Sequence, residues 1–234
     1  MIGASNKITL RSKSRFLFSP FINILNSFYD KISSDLILNE YLKLDHILNE
    51  LEISKGKNEE IIFDNCQKTS DLPDKYIVIA PLSNDCERGI SLDRYLEIAK
   101  HTANKFTVVI VGSKKQSKEL EMFQGPNLIN MVGLLTLNDI PQLINNCILF
   151  IGNDSGITHL AVKLGKTIIA LIGGGMYGRF FPYPYVSTNQ YYFYNEMECF
   201  NCSWCCHYER RYCLTEIDEK KVIKRIDLLL SQYS

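Results

Sequence analysis

The chain has 234 residues, 46% of them hydrophobic, which is ample for a buried core and excludes a disordered protein. Its 26 basic and 26 acidic residues cancel, leaving no electrostatic case for nucleic acid as a partner. No apolar run reaches membrane-spanning length and Met1-Ile2-Gly3-Ala4 carries no export signal, so a cytosolic chain with reduced thiols is expected despite eight cysteines.

Residues 1–72 differ in character from the rest. Ile2 to Ile8 reads as a short strand-like piece, followed by a basic patch at Arg11-Ser12-Lys13-Ser14-Arg15. Ile37, Tyr41, Leu44, Leu48 and Leu51 recur at steps of four and three and mark one face of an amphipathic helix. That face needs a partner, and residues 1–34 offer little sheet to supply it. Ser54 to Asn58 is polar and contains a glycine, so it can be a linker, and Lys68 to Asp74 is a second polar stretch with a proline. Residues 1–72 are therefore expected to be the remnant of one domain, and residues 73–234 to form a second.

From Tyr76 the pattern is regular. Tyr76 to Ala80 is a strand, and Ser91 can cap a helix with the apolar face Leu92, Tyr95, Leu96, Ala99 and Ala103. Phe106 to Val111 is a strand ended by Gly112, Gln116 to Phe123 a short helix and Leu128 to Met131 a strand. Asn138 can cap the helix that carries Leu143 and Ile144. Ile148 to Ile151 is a continuous apolar run, as expected of a strand buried on both faces. The turn Gly152-Asn153-Asp154-Ser155-Gly156 breaks it; Asp154 or Ser155 can cap the next helix, and Gly165 can end that helix in the left-handed conformation. Thr167 to Ile172 is the following strand, closed by Gly173-Gly174-Gly175. Val222, Ile223, Ile226, Leu229 and Leu230 form the apolar face of a last helix. Strands alternating with helices at this spacing predict an α/β fold, a Rossmann-like parallel sheet with helices on both faces.

In such a sheet, ligands bind outside the carboxyl ends of the strands. Three of those ends are polar: Pro81-Leu82-Ser83-Asn84, Gly112-Ser113-Lys114-Lys115-Gln116 and Asn153 to Gly156, with Arg88 just beyond the first. The last turn opens a helix whose first amides, on Gly156, Ile157 and Thr158, have no helical partner and suit a phosphate. Gly156 lets an anion approach the backbone, and His159 sits one turn in. Asp154 repels a bare phosphate and is better used as a cap or as an acceptor for sugar hydroxyls. Most capped turns of α/β domains bind nothing; hydroxyls, amides and a guanidinium converging on one crevice are what point to a diphosphate.

The turn Asn153-Asp154-Ser155-Gly156-Ile157-Thr158-His159-Leu160-Ala161, the strand Ile168 to Ile172 and the upstream Leu134-Leu135-Thr136-Leu137 resemble glycosyltransferase family 9, the ADP-heptose:lipopolysaccharide heptosyltransferases and their relatives. The likeness runs from about residue 76 to the end and implies the C-terminal half of a GT-B fold, with residues 1–72 a truncated remnant of the N-terminal, acceptor-side domain. By resemblance, Asp154, Ser155, Gly156 and His159 hold the donor's diphosphate and sugar. Ser83 and Asn84 fall in the phosphate-binding loop, Arg88 at its basic residue, and Leu135 and Thr136 near the adenine. Gln116 stands four residues after Gly112, where the family often has a glutamate for the ribose. The implied partners are a nucleoside-diphosphate sugar, ADP-heptose above all, and a lipopolysaccharide or related glycolipid acceptor. The implied location is cytoplasmic, compatible with peripheral association at the inner membrane.

Transfer develops charge on the leaving diphosphate, which amide dipoles and Arg88 can stabilise. No Asp-x-Asp pair exists to hold a divalent metal, in keeping with metal-independent transfer in this family, and no cofactor is implied. The family's general base lies near a Gly-Asp turn of its N-terminal domain, and residues 1–72 contain no such turn. The expectation is a fragment of a longer enzyme, or a partial relative whose catalytic base lies outside the chain. A non-catalytic sugar-nucleotide-binding module and a GT-B-fold sugar-nucleotide epimerase are the alternatives. The cluster Cys199-x2-Cys202-x2-Cys205-Cys206-x6-Cys213 permits a tetrahedral zinc site from Cys199, Cys202, Cys205 and Cys213, with His207 a further candidate ligand, although free thiols are the preferred reading.

Overall fold

The structure is a computed structural model that describes residues 8–10, 31–33, 40–50, 69–83, 89–181, 183 and 189–233. The chain divides into two compact units, Met1–Asn58 with Gly178–Pro184, and Glu59–Tyr177 with Tyr185–Ser234.

In the smaller unit, strand β1 (Ile8–Leu10) pairs in parallel with β2 (Lys31–Ser33), and helix α1 spans Glu40–Glu50. The segment Gly178–Pro184 belongs here because Arg179 fixes it to the start of α1. Its Nη2 lies 2.9 Å from Glu40 Oε1, and its carbonyl accepts the Glu40 amide at 2.7 Å. Tyr41 adds a ring contact with Tyr183, at 4.6 Å between centroids. The apolar face expected on α1 is incomplete, since Leu44 is 54% exposed. Ile37, Leu51, the basic patch and the Ser54 to Asn58 stretch lie outside the described residues.

The larger unit is built on six parallel strands: β3 (Tyr76–Ala80), β4 (Thr107–Ile110), β5 (Leu128–Asn130), β6 (Leu149–Asn153), β7 (Ile168–Leu171) and β8 (Gln190–Phe193). Their order across the sheet is β5-β4-β3-β6-β7-β8. Counted from β3 this is the doubly wound 3-2-1-4-5-6 arrangement, whose direction of winding reverses between β3 and β6. The aliphatic runs of β3, β6 and β7 are buried throughout, as a sheet covered on both faces requires. β8 was not expected. Its sequence, Gln-Tyr-Tyr-Phe, lacks an aliphatic run because it is an edge strand buried only in part.

Five helices follow in chain order: α2 (Leu92–Ala103), α3 (Ile140–Asn146), α4 (Gly156–Lys163), the single turn α5 (Tyr212–Thr215) and α6 (Glu219–Leu230). On one face of the sheet, Ile77, Ile79, Val108, Ile110, Leu149 and Ile151 pack with Tyr95, Ile98 and Ala99 of α2 and Val222 and Ile226 of α6. The alternate residues Val78 and Phe150 point to the other face by strand alternation, and α3 packs against α4. The stretch expected as a helix from Gln116 to Phe123 forms two short 3-10 turns, Lys114–Gln116 and Glu119–Met122. Two expected caps differ. Ser91 occupies the cap position of α2 without a side-chain cap bond. Asn138 is not the cap of α3; Asp139 stands there, and its carboxylate accepts the Thr136 amide at 2.7 Å. Gly165 does end α4 in the left-handed region, at φ 71°.

Arg94 ties α2 to the C-terminal segment. Its Nε pairs with Glu219 at 3.1 Å, Nη1 donates to the Thr215 carbonyl at 2.9 Å, and Nη2 donates to the Ile217 carbonyl. Asp227 makes the second tie, to Lys105 at 2.8 Å and His101 at 3.1 Å. Those partners hold the Asp227 carboxyl below its ordinary range, Lys105 foremost. A carboxyl depressed on folding contributes stability above its unfolded pKa and loses it as pH falls through the folded value, so this tie is intact at neutral pH. Arg94→Met keeps the stem and strands two carbonyls. It is expected to cost about 1–3 kcal/mol, read as a lower urea midpoint at unchanged slope. An unchanged midpoint would show that the three contacts contribute nothing net.

Candidate functional site: the carboxyl edge at the switch point

Every strand of the six-stranded sheet runs the same way, so every strand-to-helix turn opens on one edge. The expected convergence of the turns after β3, β4 and β6 follows from this topology. β3 and β6 are hydrogen-bonded neighbours, with Ala80 paired to Gly152, so the turns at Pro81 and Asn153 meet where the winding reverses.

The residue that joins them is Asn153, which in the sequence is one polar residue of the turn with no role of its own. It is fully buried at the end of β6. Its Nδ2 donates to the Pro81 carbonyl at 2.7 Å, and its Oδ1 accepts the Tyr95 hydroxyl of α2 at 2.5 Å. Its own carbonyl accepts the Thr158 hydroxyl of α4 at 2.5 Å. Burial raises the Tyr95 pKa, keeping that hydroxyl a neutral donor. Gly89 completes the seat, since a Cβ there would stand 2.9 Å from Asn153 Nδ2. A polar residue closing an apolar strand, with a tyrosine on the facing helix, was the available signal.

Beyond Asn153 the turn opens. Ser155 holds the N-cap position of α4 in extended conformation without a side-chain cap bond, its hydroxyl 3.2 Å from that of Thr158. The Thr158 amide, expected to face a ligand, donates instead to the Ser155 carbonyl at 3.0 Å. The amides of Gly156 and Ile157 remain in the first turn, where helix geometry supplies no partner. Gly156 is exposed, and nothing beyond its chain neighbours and its own helix backbone lies within 4 Å of where its Cβ would be. His159 Nε2 stands 3.5 Å from Asp154 Oδ1, both side chains about three-quarters buried, so the pair forms one wall of the turn.

Gln116 joins the other two turns. Its Oε1 accepts the Ser113 amide at 2.8 Å, and its Nε2 donates to the Ser83 carbonyl at 3.1 Å. Gly112 is held against Leu120, whose Cδ1 would lie 2.7 Å from an added Cβ. Leu135 is half-buried and Thr136 exposed in the turn after β5, beside Leu134 and Leu137 at 61% and 88% exposure. Asn84 and Arg88 lie outside the described residues.

The cysteine-rich segment adjoins the end of β7. Asn201 and Ser203 donate their amides to the Gly174 and Gly175 carbonyls at 2.7 and 3.0 Å. A Cβ on Gly174 would lie 2.2 Å from the Phe200 ring, and one on Gly175 2.4 Å from that of Trp204, so the glycine run is what seats this loop. Cys199, Cys202, Cys206 and Cys213 line one small cavity with Trp204 and Arg211; Cys205, expected in the zinc set, is exposed and not part of the lining. Burial raises the thiol pKa of Cys199 and Cys213, and the neighbouring thiols add to it. Among the described residues, no group of three or more His, Cys, Asp or Glu is placed to hold a metal ion. Nor is any helix among them long and apolar enough to cross a membrane.

A sequence profile of the family described as "Glycosyltransferase family 9 (heptosyltransferase)" matches residues 1–207. A 45-residue stretch is 40% identical to lipooligosaccharide heptosyltransferase 2 of Haemophilus influenzae, covering 19% of this chain and 13% of that one. The fold is similar to that of the E. coli ADP-heptose LPS heptosyltransferase II, with a TM-score of 0.54 at 22% identity over 81% of this chain and 51% of that one. It is also similar to a family 9 glycosyltransferase from Veillonella parvula, with a TM-score of 0.64 at 20% identity over 96% and 67% of the two chains. The chain thus spans about half the length of the E. coli protein.

Asn153→Ala leaves the Tyr95 hydroxyl and the Pro81 carbonyl buried without their partner. The expected loss is about 1–3 kcal/mol for each group, so calorimetry should show a clearly lower melting temperature. A variant as stable as the parent would show that the buried amide holds nothing together.

Proposed function

This chain belongs to glycosyltransferase family 9, and from that premise we propose that it seats the nucleoside-diphosphate sugar of a glycosyl transfer, with ADP-heptose as donor and a lipopolysaccharide core or related glycan as acceptor. Family membership supports the reaction class. The names of the relatives, which include an ADP-heptose LPS heptosyltransferase, support the donor and the acceptor. The observation that carries the reading on this chain is the open first turn of α4 at the switch point. There, two amides without helical partners stand at the positive end of a helix dipole, and a Cβ on Gly156 would meet nothing outside its own helix within 4 Å.

The proposed roles follow from what transfer requires. Negative charge grows on the diphosphate as the bond from sugar to phosphate breaks, and the Gly156 and Ile157 amides stabilise it without reorganising. Asp154 accepts hydrogen bonds from sugar hydroxyls, while His159 beside it holds that carboxylate in place and offsets its repulsion of the phosphates. Ser83 and Gly112 border the diphosphate on the β3 and β4 side, and Leu135 and Thr136 flank the base. Asn84 and Arg88 are proposed to complete the phosphate contacts, Arg88 by a charge-assisted pair.

Isothermal titration with ADP, UDP and GDP tests this reading, with Gly156→Ala as the paired variant. A methyl group there meets nothing in the protein, and replacing glycine by alanine at a compatible position is neutral or stabilising by up to about 1 kcal/mol. The expected result is tightest binding of ADP, weakened about tenfold or more in Gly156→Ala at an unchanged or higher melting temperature. Equal ADP affinity in the variant would remove α4 from the site, and preference for UDP or GDP would overturn the adenine donor.

A further inference from the structure

Thr158 is fully buried, yet it makes three ties to the turn that opens α4. Its hydroxyl donates to the Asn153 carbonyl at 2.5 Å, and its amide donates to the Ser155 carbonyl at 3.0 Å. Its side-chain oxygen also stands 3.2 Å from the Ser155 hydroxyl. A carbonyl has no proton to give, so the Thr158 proton is committed to Asn153, and Ser155 is the donor between the two hydroxyls. Gly152 leaves room for this, since a Cβ there would stand 2.9 Å from the Thr158 oxygen.

The arrangement departs from an ordinary helix start. A serine at the N-cap position usually accepts the amide of the second or third helical residue, here Ile157 or Thr158. The Ser155 side chain makes no such bond. Its hydroxyl is turned to Thr158 instead, and the Thr158 amide is taken by the Ser155 carbonyl. The turn is therefore held from inside the core, and the Ile157 amide is not consumed by a cap. The Ser155 carbonyl also accepts the His159 amide at 3.1 Å, so it points into the helix. The C=O and N–H of a trans peptide point opposite ways, which turns the Gly156 amide, on that same peptide, out of the helix. One amide is aimed and the other left open by groups that Thr158 holds.

Resting on the donor reading above, we propose that Thr158 is a positioning residue for the diphosphate: from inside the core its hydroxyl holds the strand-to-helix turn so that the Gly156 and Ile157 amides stand ready for the anion. Being buried, it does this without touching the donor. Ligand affinity then depends on a hydroxyl at position 158, although no ligand atom meets it.

The test titrates ADP into the parent chain and into Thr158→Ala, Thr158→Val and Thr158→Ser, with the melting temperature of each read alongside. Alanine removes the hydroxyl, valine replaces it by a methyl group, and serine keeps it. Thr158→Ala and Thr158→Val should bind ADP about tenfold more weakly, while Thr158→Ser stays within about twofold of the parent. The titrations are run well below each melting temperature, so a loss of stability alone leaves the affinity of the folded chain where it was. Two hydroxyl-free variants are made because valine sets a methyl group against the Asn153 carbonyl and alanine does not; either one that folds serves the comparison. A parent chain that binds no ADP overturns the donor reading, and the inference with it. A parent that binds ADP while a folded Thr158→Ala or Thr158→Val binds it equally well, or while Thr158→Ser loses as much as they do, overturns the positioning role alone.

Discussion

The structure of the larger unit turns on one buried carboxamide. A parallel sheet that winds outward in both directions from β3 leaves a gap between the turns that leave β3 and β6, since their helices depart to opposite faces. Backbone pairing ends there, and the last polar groups of both strands must find partners away from water. Asn153 supplies them: donor to Pro81 just after β3, acceptor to Tyr95 on one face, and a backbone acceptor for Thr158 on the other. No aliphatic residue could do this, and an aspartate would lack the donor for Pro81. The same arrangement fixes where α4 begins and hence where its first amides face.

Glycines then decide which space is protein and which is left open. At Gly89 and Gly152 the absent Cβ is taken up by Asn153 and by Phe150 and Thr158, and at Gly174 and Gly175 by the aromatic rings of the cysteine-rich loop. At Gly156 nothing takes it up. Packing therefore explains the first four, while the last stands at the mouth of the turn where an anion would approach. This contrast separates a capped turn that only closes a fold from one with room for a ligand. It sits at the position where doubly wound sheets bind theirs.

Much of this was legible in the sequence because burial on both faces leaves a strong mark. Tyr76 to Ala80 and Ile168 to Leu171 are apolar runs that can be little else, and the helix faces of Tyr95 and Ala99 and of Val222 and Ile226 repeat at helical spacing. What the sequence leaves hidden depends on three-dimensional neighbours. β8 is an edge strand whose tyrosines carry no alternation. Asn153 reads as one more polar turn residue until Pro81 and Tyr95 are beside it. That the Gln116 amide reaches the Ser83 carbonyl, thirty-three residues earlier, is visible only once the two turns are side by side. Cys206, not its neighbour Cys205, reaches the thiol-lined cavity, because Asn201, Ser203 and Trp204 take left-handed backbone angles that spacing alone does not reveal.

The central claim is that a nucleoside diphosphate sits on the first turn of α4, at the crevice between β3 and β6. The most direct measurement is a nitrogen-15 amide NMR titration of the isotopically labelled chain with ADP. The account requires the largest shift changes at Gly156 and Ile157, with smaller ones at Ser83 and Ser113, and near silence at Cys202, Cys206 and the far ends of the strands. Changes concentrated at the cysteine-rich loop, with Gly156 and Ile157 unmoved, would contradict it.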